Sequence, residues 1–326
     1  MTFTSKAAIL AALFAVTLGA AQHAGAQAYP VKPIRLVVGF APGGGTDYVA
    51  RAVAPKLSEA LGQPIVVENK PGASGMVGAD LVAKSAPDGY TLAVAAAGAM
   101  TIAPNLYANP PFDTLKDFDP VTLIVSSPFV LVLHPSVPAK SLAEFTALAK
   151  AKPGSLNFGS AGTGGAPHLA GELYKKMAGV NIVHVPYKGL APALADLLGG
   201  QVQAVFADIG LTLKQIEAGK LTPIAVTGSR RFSALPEVPT MAEAGLPGYT
   251  AETWYGIAAP AGTPHALIAR LHSELSKLLA APELQKQFAA QGLVLVALSP
   301  SEFAKRMRDD FNKWAKLIKE ANIQPN

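Results

Sequence analysis

Cysteine is absent from this 326-residue chain, which excludes disulfides and thiolate metal sites and leaves stability to the apolar core. Charged residues make up only 15% of the sequence. They form no acidic or basic block and no basic run interleaved with aromatics, so a nucleic-acid surface is not expected. Beyond the first 28 residues, no apolar run reaches the roughly 20 residues that a membrane span needs. His134, His168, His184, His265 and His272 include no pair four residues apart, so the usual helical metal motif is missing and no metal or other cofactor is expected. Neither glycine-rich turn completes a nucleotide fingerprint: counted from Gly43 or Gly162, the third glycine position of G-x-G-x-x-G holds Tyr48 or Pro167. Neither turn ends in Gly-Lys-Ser/Thr.

What is present begins with an export signal. Lys6 precedes an apolar run from Ala7 to Ala20, and small residues flank two candidate cleavage points, after Ala26 and after Ala28. Residues 1–28 therefore read as a cleaved secretory signal, short of a membrane anchor, and the mature chain is expected to be a soluble, exported protein. Without Lys6 it carries 26 Lys and Arg against 22 Asp and Glu, a formal +4 that suits an anionic small molecule.

Apolar runs of strand type then alternate with helical periodicity, which predicts an α/β protein with mostly parallel sheets. The predicted strands start with Ile34–Phe40, Ile65–Asn69, Thr91–Ala96, Val121–Leu133 and Leu156–Gly159. They continue with Ile182–Val185, Ala204–Phe206, Ile224–Val226, Trp254–Ala258 and Val294–Ala297. Ser141 with Glu144, and Ser299 with Glu302, have capping-box spacing. Leu267, Ile268, Leu271, Leu275 and Leu278 make one apolar helix face. Val121–Leu133 exceeds an ordinary strand and is expected to pass from one sheet to another. With a return near residue 255, this predicts one lobe of residues 29–128 plus 255–326 and a second of 129–254. The cleft between them would lie at the carboxyl ends of the strands.

Two glycine-rich turns are the candidate site. In the first, Pro42-Gly43-Gly44-Gly45 follows a strand and precedes a helix. The second, Ser160-Ala161-Gly162-Thr163-Gly164-Gly165, has the same placement. Such turns present bare backbone amides at the positive ends of helices, a device for holding an anion. Asp47 is expected as an N-cap, and His168, in the first turn of the second helix, as a support for the loop or a donor. Lys188 is either an ionic anchor or a solvated side chain, and Tyr187 and Asp208 are placed to line the cleft. Ser160 has only half of the G-x-S-x-G nucleophile elbow, because Phe158 stands at its first glycine. A hydrolase built on Ser160, His168 and Asp208 is therefore the weaker reading.

Six stretches carry a family resemblance: YPVKPIRLVVGFAPGGGTDYVAR, VVENKPGASGMVGADLVAKSAPDGYTL, FGSAGTGGAPHLAGELY, VPYKGLAPALADLLGGQVQAVFAD, LPEVPTMAEAGLPGY and WYGIAAPAGTP. In this order the chain resembles the Bug family, the substrate-binding receptors of tripartite tricarboxylate transporters. The resemblance implies a two-lobed, type II periplasmic-binding-protein fold of the Venus-flytrap kind. It also implies a non-catalytic, monomeric receptor in the periplasm that delivers a small carboxylate to a membrane permease, or alternatively presents it to a membrane sensor. Carried onto this chain, the ligand loops are Phe40, Ala41, Pro42, Gly43, Gly44, Gly45 and Thr46, closed by Asp47, and Ser160 through Gly165, leading to His168. A third stretch is Ala97-Gly98-Ala99-Met100-Thr101, where relatives often have hydroxyls. The expected cleft walls are Met100, Tyr187, Asp208, Trp254 and Tyr255.

Overall fold

The computed structural model describes residues 29–187 and 189–324; the predicted signal and Lys188 lie outside them. All ten predicted strands form, with ends shifted by a few residues: β1 (Ile34–Val38), β2 (Ile65–Asn69), β3 (Thr91–Ala96), β4 (Phe118–Leu133), β5 (Asn157–Ser160), β6 (Val183–Pro186), β7 (Ala204–Asp208), β8 (Thr222–Val226), β9 (Glu252–Pro260) and β10 (Val294–Leu298). Their order is β2-β1-β3-β9-β4-β7-β5-β6, and β8 and β10 also pair with β4.

The spine is β4, whose 16 residues extend about 50 Å. Its first part, Phe118–Pro128, lies along β9, with β10 on its other edge near Leu123–Ser126. Its second part, Phe129–Leu133, lies between β7 and β8. The long apolar run thus passes between two sheets, as expected of its length. Nearly every residue from Val121 onward is buried because the strand has a covered face on both sides along its whole course.

The pairing is less parallel than the alternating pattern predicts. β2-β1-β3 and β6-β5-β7 are parallel flanks, but every antiparallel pairing involves β4 or β9. A strand that leaves one sheet for the other must be matched by a strand coming back, so each lobe receives at least one reversed neighbour.

Helices cover these sheets. Those that position the site are α1 (Gly45–Leu61), α2 (Met76–Ala83), α3 (Ala103–Leu106, entered through a π-turn at Gly98–Ile102) and α4 (Leu142–Ala151). After them come α5 (Ala166–Ala178), α6 (Leu190–Leu198), α7 (Ile209–Glu217), α8 (His265–Leu279), α9 (Pro282–Ala289) and α10 (Pro300–Glu320). Both predicted caps are present. Ser299 and Glu302 make the full reciprocal box, whereas Glu144 reaches one residue further back, to the amide of Lys140. The stripe on α8 buries Ile268, Leu271 and Leu275 against a core shared with α1.

The C-terminal helix α10 packs on both halves of the molecule. Phe303 and Met307 join a core with Trp254, Leu123 and Met100. Trp314, Leu317 and Ile318 join the other core, with Phe129, Phe145, Leu169 and Tyr174. Between the two groups, buried Asp310 accepts the indole N–H of Trp254 at 2.8 Å and pairs with Arg306 and Lys313. Burial pushes the Asp310 carboxyl up, but the two cations outweigh it and hold the group ionised below its ordinary range.

Gly256, in the middle of β9, allows β3, β4 and α10 to close together: a Cβ there would lie 2.6 Å from the Thr122 carbonyl and 2.7 Å from the Phe303 ring. Gly256→Ala is expected to destabilise the protein by about 1 to 3 kcal/mol through overpacking. Urea titration checks this as a lower midpoint at unchanged slope.

Candidate functional site

Both glycine turns leave a strand at its carboxyl end and open a helix, so the first amides of α1 and α5 point into one space. Gly44 and Gly165 are the N-caps, and neither helix has a side-chain cap. Orphan amides at such ends carry partial positive charge and seek an acceptor. Gly43, Gly162 and Gly164 have φ of +89°, +129° and +76°, which L-residues with side chains rarely adopt.

Asp47 shapes the first turn, though not as the expected N-cap. It occupies the third position of α1 and reaches back to accept the Gly43 amide at 2.9 Å. Arg51 Nε and Asn69 Nδ2 also donate to it, each at 2.9 Å. Led by the Arg51 hydrogen bond, these partners hold its pKa down to about 2. Asn69 also donates to the Phe40 carbonyl, which ties the bend to β2.

Under the second turn, Ser160 is fully buried. Its hydroxyl lies 2.6 Å from His184 Nε2 and within hydrogen-bond reach of the Gly162 carbonyl and amide. His168 accepts the Gly164 amide at Nδ1, 2.9 Å away. The imidazoles of His168 and His184 stack with centroids 3.7 Å apart. Burial, followed by the His168 neighbour, lowers the His184 pKa to about 3. Ser160, His168 and Asp208 therefore do not assemble as a triad: the serine pairs with a different histidine, and both imidazoles brace the loop. No group of three or more potential metal-ligating side chains occurs among the described residues.

The two turns face each other across a cavity of about 530 Å³. Phe40, Gly44, Gly45 and Thr46 line it from the first turn, and Ala161 through Gly165 from the second. Gly98 from the third stretch, Asp208 and Tyr255 complete the predicted set that reaches it. Gly43 opens instead on an adjoining cavity of about 250 Å³, shared with Tyr48, Ser127, Asp208 and Tyr255.

Other predicted residues stand behind the walls or outside them. Ala41 and Pro42 are exposed on the outer side of the bend, and Ala97 is fully buried. Met100 and Trp254 are core residues, each 1% exposed or less. Strand alternation explains Trp254: Thr253 and Tyr255 face the cavity, so the residue between them faces away. Met100 follows the π-turn into that same core. Tyr187 does not line the cavity. Its hydroxyl donates to Asp196 at 2.8 Å while its amide bonds the Ser160 carbonyl, so it braces the second turn. Lys188 lies outside the described residues.

Sequence reasoning missed Ser74, Leu106, Tyr107, Phe129, Leu190 and Thr253, all of which line the cavity. Ser74 had a signal, since Gly72-Ala73-Ser74-Gly75 is a third glycine-bearing bend after a parallel strand. Thr253 followed from the alternation of β9. Phe129 and Leu190 had none, because their placement depends on which sheets and helices meet.

Among the described residues, the cavity lining includes no Lys, Arg or His, and Asp208 is its only carboxylate. Dehydration pushes the pKa of Asp208 up to about 6, against a smaller opposing effect from the Ser127 hydroxyl. Burial, then the nearby Asp208 charge, raises the Tyr255 phenol further above its usual range. The site is thus rich in amides and hydroxyls, walled by aromatic and aliphatic side chains, and free of any described positive side chain.

Comparison with known proteins agrees with this geometry. Residues 49–323 match the model of the tripartite tricarboxylate transporter family receptor. The chain is 37% identical to Protein BugT of Bordetella pertussis over 325 residues, covering 99% of each. Among solved structures it is similar to Rpa4515 of Rhodopseudomonas palustris with adipate, at 35% identity and TM-score 0.80, covering 91% of this chain and 100% of that one. It is also similar to MatC of the same organism with bound malate, at 33% identity and TM-score 0.76, covering 89% and 100%. The two-lobed periplasmic-binding-protein fold, the solute-receptor architecture and the sequence together place this chain in the tripartite tricarboxylate transporter receptor family.

Proposed function

We propose that this protein is an exported, non-catalytic receptor of the periplasm that closes two lobes over one small carboxylate and hands it to the membrane components of a tripartite transporter. The lobes are residues 29–128 with the C-terminal segment from 255, and residues 129–254, with α10 clasping both. The observation that carries the reading is the convergence of two uncapped helix N-termini on one cavity whose described lining has no basic side chain. Amides fixed by the fold can hold a carboxylate without the desolvation cost of a buried cation. Hydrogen bonds to a charged group contribute about 1.5 to 3 kcal/mol each. Four or five near the upper end of that range total about 12 to 15 kcal/mol, which leaves micromolar binding, about 8 kcal/mol, after roughly 4 kcal/mol of association cost. That relatives have been solved with adipate and malate supports this ligand class. Phe40, Leu106, Tyr107 and Phe129 favour an acid with a hydrocarbon or ring body.

Two outcomes test the reading. Gly44 has φ −84° and ψ 173°, and no atom lies closer than 4.0 Å to a Cβ built on it, so valine fits the backbone and projects into open space. Gly44→Val is expected to weaken carboxylate binding about a hundredfold, ~3 kcal/mol by calorimetry, with thermal stability nearly unchanged. Unaltered affinity for every acid the wild type binds overturns the site.

Asp47→Ala is expected to cost about 2 kcal/mol of stability near neutral pH, because the Gly43 amide, Asn69 and Arg51 lose their shared acceptor. The folded-state pKa of about 2 lies below the unfolded value of 3.8. The contribution is therefore complete above about pH 4 and fades as the pH falls toward 2. Urea midpoints of wild type and variant should differ at pH 7 and converge near pH 2.

A further inference from the structure

Asp208 ends β7 and stands as the N-cap of α7, yet its side chain does not cap that helix. Among the described residues its one side-chain partner is the Ser127 hydroxyl at 3.5 Å, a weak contact. The carboxyl borders both adjoining cavities together with Gly44, Gly45 and Tyr255. A carboxyl group that declines its own helix's amides and has no close partner among the described residues keeps its acceptor capacity for whatever enters the cavity. The other titratable groups on the two linings, Tyr48, Tyr107 and Tyr255, supply only hydroxyls.

The cavity is therefore electrostatically two-sided. Its glycine turns attract negative charge, whereas Asp208 repels a second negative charge and accepts a hydrogen bond. Two carboxylates at close range in a dehydrated space cannot both remain ionised without a large cost, but a hydroxyl or ammonium there is stabilised.

We infer that Asp208 is the specificity-determining residue of the cleft, selecting an acid that presents one carboxylate to the glycine turns and a hydroxyl or ammonium to Asp208, over the matching dicarboxylate. This rests on the proposed carboxylate-receptor reading and adds the second functional group of the ligand to it. The amides of the glycine turns would take the carboxylate, and Asp208, with Ser127 beside it, the hydroxyl or ammonium. At acid pH the Asp208 carboxyl takes up a proton, the repulsion falls, and a dicarboxylate gains relative to its hydroxy counterpart.

The test is calorimetry of the mature protein with two matched series, at pH 8 and pH 5. The probes are 4-hydroxybutanoate, 4-aminobutanoate and succinate, and 6-hydroxyhexanoate, 6-aminohexanoate and adipate. At pH 8 the hydroxy or amino acid of at least one series is expected to bind about tenfold or more tightly than its dicarboxylate. Asp208→Asn, checked for wild-type circular dichroism, should shrink that preference to within about threefold or reverse it. Wild type at pH 5 should move in the same direction. A dicarboxylate that binds wild type at pH 8 as tightly as its hydroxy and amino counterparts overturns the assignment, as does a preference that Asp208→Asn leaves unchanged. If acids still bind and Gly44→Val still weakens them, only the Asp208 assignment falls. If no probe of either series binds, the carboxylate-receptor reading falls with it.

Discussion

A helix that starts without a side-chain cap has amides with nowhere to go, and in this molecule two such helices start at the same cavity. Most other features of the site can be understood as what that arrangement requires. Side chains near the turns must be missing or turned away, which accounts for the glycines. The bends must also be held from behind, because a loop without side chains has little intrinsic rigidity.

The holding is done by polar side chains that do not line the cavity. Asp47, Arg51 and Asn69 fix the first bend through the Gly43 amide and the Phe40 carbonyl. Ser160, His184 and His168 fix the second through Gly162 and Gly164. These residues look chemically active in sequence, and the geometry gives each a structural partner instead. The reactive-looking serine and histidines are scaffolding for a surface of main-chain donors. A rigid amide cradle loses less entropy on binding than mobile lysines or arginines would.

At larger scale, β4 and α10 set the distance between the two turns. The strand joins both sheets in a single 16-residue run, while the helix buries Phe303 on one side and Trp314 on the other. Asp310 links Trp254 to that helix at the crossing. Both halves of the molecule therefore share β4 and α10.

The strands and the capped helix starts were legible in the sequence because period-two and period-3.6 patterns are local, and so were the glycine bends, because positive φ is a local demand on the backbone. The family was legible for the same reason, as ordered motifs along one chain. Asp208 and Tyr255, expected at the cleft from the sequence, line the cavity. The sequence did not show that Trp254 turns into the core while Thr253 turns out, that Met100 is packed away, that His184 and not His168 meets Ser160, or that α10 belongs to both halves. Those outcomes depend on contacts between residues far apart in the chain, such as Phe129 opposite Asp208 and Trp254 against Asp310. Local residue patterns determined where the chain would bend and offer amides; only the tertiary packing of sheet upon sheet decided which side chains share the enclosed space and which stand behind it.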